Sequence, residues 1–199
     1  MTQALRLLIL TALLFIAGCV RSLHPLFTEN DLVFKSEILG SWIDKEGDIT
    51  WTFSKSGSNS YSLIHFQHRF REGFDKKEEQ KGDSTLFEAH LVQLGGYFFL
   101  DLFPGNPHTR VKNDLYNFHL FPMHTFSRVW LDQDTMRIAM LENDWLKKML
   151  AEKKVEIGHE LSNGGVVLTA PTADLQRLVV KFAQDEEAFP SPGVFRRLP

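Results

Sequence analysis

Hydrophobic positions along this chain alternate more often than they recur every three or four residues, so most of it reads as β-strand. Ile49, Trp51 and Phe53 alternate with polar neighbours, "SGSN" at 56–59 reads as a turn, and "YSLIHFQ" at 61–67 reads as the next strand. The polar, mixed-charge run from Arg69 to Asp83 reads as a solvated connection or a hairpin tip. The clearest hairpin follows: "LFEAHLVQL", Gly95-Gly96, "YFFLDLF", where two glycines supply the positive φ values of a tight primed turn. Pairing Leu94 with Tyr97 puts Phe87, Ala89, Leu91, Phe98, Leu100 and Leu102 on one face. The other face carries Val92, Leu94, Tyr97, Phe99 and Phe103, with His90 and Asp101 directly opposite each other. Both faces are rich enough in apolar side chains to need cover.

"TFSRVWL", "DQD" and "TMRIAML" predict a second hairpin, with Val129, Leu131, Met136, Ile138 and Met140 on one face and Arg128, Trp130 and Arg137 on the other. Two helices follow. Asn143 or Asp144 can cap one whose apolar face is Trp145, Leu146, Met149 and Leu150, with Lys153 and Lys154 at its C-terminal end. Thr172 can cap another, with Leu175, Leu178, Val179 and Phe182 at i, i+3, i+4 and i+7 and a mixed-charge opposite face, the pattern of a helix docked on a sheet. Between them "VEIGHE" and "GVVLTA" read as a short strand pair. The predicted fold is mainly β (α+β): an antiparallel lipocalin-like barrel, or a strongly curved sheet, with two packed helices in the C-terminal third.

The start of the chain breaks this pattern. Leu7 to Ala17 form an apolar run of about eleven residues behind Arg6, which suits a signal-peptide core and is too short for a span of roughly twenty. Ile16, Ala17, Gly18 and Cys19 resemble the lipobox of bacterial lipoproteins, in which an aliphatic residue and two small ones precede a cysteine that becomes the first mature residue. The resemblance implies a diacylglycerol on the sulfur of Cys19, a further acyl chain such as palmitate on its amino group, and an anchor in membrane lipid stable by virtue of its several chains. Val20 and Arg21, with no Asp in second position, imply sorting to the outer membrane with the body facing the periplasm. The expected division is a signal peptide at 1–18, a lipidated anchor and N-terminal segment at 19–39, and one β-rich domain with C-terminal helices at 40–199. The stretch "VRSLHPLFTENDLVFKSEILGSW" is largely apolar where a polar tether would be usual, so the body should sit close to the membrane. It is similar to the opening of a group of uncharacterised bacterial lipoproteins, which implies no activity.

Cys19 is the only cysteine among 199 residues, so neither a disulfide nor a thiolate metal site supports the fold. A formal charge of −3 argues against nucleic acid and against a polybasic membrane-binding surface. "GDSTL" at 82–86 looks like the nucleophile block of the GDSL hydrolases, but the Asp-x-x-His block of that family is missing, and the stretch reads as a turn closing the charged connection. The eight histidines suggest no metal: His65 and His68 would point to opposite faces of a strand, and His119 and His124 converge only through a bend at Pro122. No phosphate loop is present, and no cofactor is expected.

Gly40-Ser41-Trp42 resembles the Gly-x-Trp motif that opens the first strand of lipocalins, where the Trp closes one end of the barrel and a late basic residue packs on it. The resemblance would cover about residues 38–155; the Thr-Asp-Tyr block is missing, and the pattern alone does not single out the basic residue. Trp42, His90 and Asp101 are therefore the candidate ligand-binding or structural residues, His90 and Asp101 as a pair with a charged imidazole favoured unless burial outweighs the carboxylate. Two functions compete: an anchored, non-catalytic β-domain holding an apolar or lipid ligand, or an interaction lipoprotein with a filled core that docks an envelope protein complex. A hydrolase would need a nucleophile beside a base, and none can be placed.

Overall fold

A computed structural model describes residues 19–68, 82–105, 119–162 and 165–199. Among these, eight strands close into an antiparallel barrel: β2 (Gly40–Asp44), β3 (Ile49–Lys55), β4 (Tyr61–Gln67), β5 (Asp83–Leu94), β6 (Tyr97–Pro104), β7 (Thr125–Asp132) and β8 (Thr135–Met140) follow one another as a meander, and β11 (Gly193–Arg197) closes the ring between β8 and β2. The curved-sheet alternative is thereby excluded. The closing strand was not legible in the pattern, since "GVFRR" offers a single inward apolar residue, Phe195.

The turns at 56–60, 95–96 and 133–134 lie at one end of the barrel, the hairpin end. Gly95 and Gly96 have φ of 56° and 83°, the left-handed backbone that a two-residue turn requires there. The second hairpin also has a two-residue turn, not the three residues of "DQD": Asp132 pairs with Thr135, and Gln133 takes a φ of 40°. The stretch Asp83–Leu86 is the start of β5, paired with β4, and not a turn. The connection expected from Arg69 lies, up to residue 81, outside the described residues.

Two cores result from the two faces. Inside the barrel, Trp42, Phe53, Tyr61, Leu63, Leu91, Leu100 and Met136 pack together. Outside, Val92, Leu94, Phe99, Phe126, Ala139 and Leu141 are covered by α1 (Asn143–Ala151), α2 (Thr172–Lys181) and a small sheet, in which β10 (Gly165–Leu168) lies between β1 (Arg21–Ser22) and β9 (His159–Ser162). Both helices were expected, but their caps differ. Glu142 caps α1, its carboxylate accepting from Asp144 N at 3.1 Å, which frees Asn143 to turn inward and accept from Val166 N of β10 at 2.7 Å. Pro171 precedes α2, and Thr172 donates its hydroxyl to Pro25 O at 2.9 Å. The helix termini are thus tied to other elements by tertiary bonds that local capping preferences do not reveal.

Residues 19–39 form a strap across the outside of the barrel. Cys19 bridges to Glu142, Ser22 exchanges two backbone bonds of 2.9 Å with His124, and Leu32 bridges to Val92. Here β5 runs past the start of β4, and Val33 N donates to Leu91 O at 3.0 Å, which protects a strand edge that would otherwise be open. The strap then closes the hairpin end, where a single 3-10 turn at Ser36–Ile38 buries Ile38 completely.

Candidate functional site

Trp42 points into the barrel, has no exposed surface, and donates its indole N–H to Ile38 O at 2.8 Å. Arg197, on the closing strand, places its guanidinium 4.2 Å from the Trp42 ring centroid and donates to Leu39 O at 2.7 Å and to Glu37 O. One side chain therefore joins the strap, the first barrel strand and the last, combining cation–π attraction with charge-assisted bonds to backbone carbonyls. The arrangement is a structural clasp at the hairpin end. Sequence spacing could not identify Arg197, because Arg196 beside it points outward and only closure of the ring separates the two.

His90 and Asp101 pair across β5 and β6 in the expected register. The carboxylate, however, is turned elsewhere. Asp101, fully buried, lies 2.7 Å from His124 Nδ1 and accepts from Leu26 N at 2.8 Å, while His90 faces Glu88 at 3.5 Å and stacks on Phe27 at 4.3 Å between centroids. Burial holds the His90 imidazole below the usual His range, against the smaller opposing pull of Glu88 and Asp101, so the charged form expected from the pairing is not the favoured one. His124 was the missing member: it lies just before β7, beside the strap, and Phe103 stacks on it at 4.6 Å. Asp101 thus fastens the strap through the Leu26 backbone N–H and holds His124, itself bonded to Ser22 of the strap, the role of a polar latch under an apolar cover.

A second constellation lies inside the barrel, towards the end opposite the hairpin turns. Phe195, Trp51, His65 and Phe87 form an arc on the inner wall, with centroid separations of 5.2, 6.2 and 6.5 Å. Trp51 Nε1 is buried and has no hydrogen-bond partner among the described residues, and burial holds His65 below the usual His range. The alternation of β3 and β4 predicts these inward positions, but not that the indole would lack an acceptor.

Ser84 of "GDSTL" stands on β5 opposite Phe66 and is exposed. Among the described residues no three His, Cys, Asp or Glu side chains gather to hold a metal ion. At the far end of the strap, Cys19 is half-buried beside Met140, and burial followed by the Glu142 carboxylate pushes its thiol above the usual range. Compared with known proteins, the chain matches no family model, no curated protein and no solved structure.

Proposed function

We propose that this chain is an outer-membrane lipoprotein, acylated on Cys19, whose β-domain is a rigid, non-catalytic scaffold docking an envelope protein complex on the periplasmic side. The observation that carries the scaffold reading is the middle of the barrel. Trp42, Tyr61, Leu63, Leu91, Leu100 and Met136 are 0 % exposed, so no space wide enough for water touches them. A lumen that accepted a ligand along its length would leave such walls accessible.

A second reading, an apolar ligand held at the end opposite the hairpin turns, is supported by the partnerless Trp51 N–H, since a buried donor without an acceptor costs about 1–3 kcal/mol that a ligand carbonyl would recover. Native mass spectrometry of the protein released from envelopes, with crosslinking in parallel, separates the two. The scaffold reading expects a protein partner held in fixed stoichiometry and no small-molecule mass; a copurifying small molecule lost in Trp51→Phe reverses the order. Acylation is tested separately by feeding labelled palmitate, which should mark the parent protein and not Cys19→Ser.

A further inference from the structure

We propose that the barrel end carrying Cys19 lies directly on the bilayer and that Leu120 and Phe121 enter the boundary between headgroups and acyl chains. The inference rests on the acylation of Cys19 and adds the surface that follows from where that residue sits. A lipidated cysteine on a polar tether leaves its protein free to tumble; here there is no tether. Cys19 bridges to Glu142 immediately beyond β8, Val20 is buried, and Ser22 exchanges two backbone bonds with His124. The acyl chains are therefore joined to a residue fixed on the barrel wall, and that residue lies at the end where β8 finishes and β7 begins, opposite the hairpin turns.

This same end presents apolar side chains to solvent. Phe121 is 67 % exposed, Leu120 48 %, and Met140, beside the cysteine sulfur, 37 %. Leu120 and Phe121 shortly precede His124, which is bonded to Ser22 of the anchored segment, so they belong to the same end of the barrel as Cys19. An exposed Phe–Leu pair at the anchored end is matched by the lipid boundary, where both side chains leave water. The β2–β3 turn at this end carries Asp44, Glu46 and Asp48 against Lys45, so this turn offers no attraction to an anionic membrane surface.

The test uses the full-length, processed protein in vesicles of phosphatidylethanolamine and phosphatidylglycerol. Because acylation consumes the only native thiol, Phe121→Cys and Ser58→Cys each offer one site for an environment-sensitive fluorophore, Ser58 lying in the exposed β3–β4 turn at the hairpin end. The Phe121 probe should be blue-shifted, quenched several-fold more strongly by lipids spin-labelled near the headgroup than the Ser58 probe, and unaffected by high salt. Equal quenching of both probes by aqueous iodide would overturn the proposal, as would a Phe121 probe shielded from iodide yet untouched by spin-labelled lipid, which would mean that protein covers this face. The intact mass and the thiol reactivity of the parent report the premise independently: a parent that labels at Cys19 and lacks acyl mass removes the anchoring reading itself, whereas an acylated parent with a water-exposed Phe121 probe removes only the orientation.

Discussion

Leu91 points into the barrel and has no exposed surface, whereas Ile64, on the neighbouring strand, points outward and is 46 % exposed. The two differ in environment far more than in chemistry. Leu91→Ala should lower unfolding free energy by about 2–5 kcal/mol, because the filled layer around it cannot collapse into the space left behind. Ile64→Ala should stay within about 0.5 kcal/mol, and chemical denaturation of both variants checks the contrast. His65 gives a pH dependence with a definite sign. Since burial among Trp51 and Phe87 holds its folded pKa below the unfolded value, the unfolded chain takes up the proton first. Its contribution is fully present above about pH 6.5 and is lost as pH falls through that value towards the lower folded one. His90 acts in the same direction. The thermal midpoint should therefore drop on acidification from pH 7.5 to 5.5, and drop less in His65→Phe.

The elements outside the barrel are held by a few polar contacts over a continuous apolar interface. Asn143, at the first turn of α1, is 1 % exposed and supplies the acceptor for Val166 N; Gly165, at a φ of 112°, brings β10 so close that a Cβ there would lie 2.4 Å from Asn143 Oδ1. Asn143→Ala should strand that backbone donor and cost about 1–3 kcal/mol, with hydrogen exchange of the Val166 amide accelerated well beyond that of barrel amides. The second hairpin shows another use of polar groups at an apolar surface: Arg128 and Arg137 flank Trp130, at 4.3 and 5.2 Å from its ring, and Arg128 also donates to Ala183 O. The outward face of β7 and β8 is thereby covered by cations stacked on an aromatic ring, and Arg128 additionally fastens the segment after α2.

For the whole molecule, closure depends on the last few residues. Between β8 and β11 the chain leaves the barrel for α1, β9, β10 and α2, and the ring is completed only when β11 pairs with β8 and β2. A chain ending at Pro192 should keep much of its secondary structure by far-UV circular dichroism but lose near-UV signal and self-associate, because β2 and β8 would then present open edges and Trp42 would lose Arg197. The strap works at the same scale. It begins beside α1, crosses the Asp101–His124 latch and ends beneath Trp42, so it joins the outer core to the inner one.

The pattern of side chains determined which residues face inward on each hairpin, the positions of both helices, the register of His90 against Asp101 and the resemblance at Cys19, because each depends on residues within about one hairpin of one another. Period and turn chemistry carry that information locally. Tertiary structure alone decided the rest. Closure by Gly193–Arg197, the packing of Arg197 on Trp42 and the turn of Asp101 towards His124 rather than His90 all join segments distant in sequence. Asp101 faces the choice between a neighbour across one ladder and two donors from distant segments, Leu26 N of the strap and His124 before β7; the latter win because together they satisfy both oxygens of the buried carboxylate.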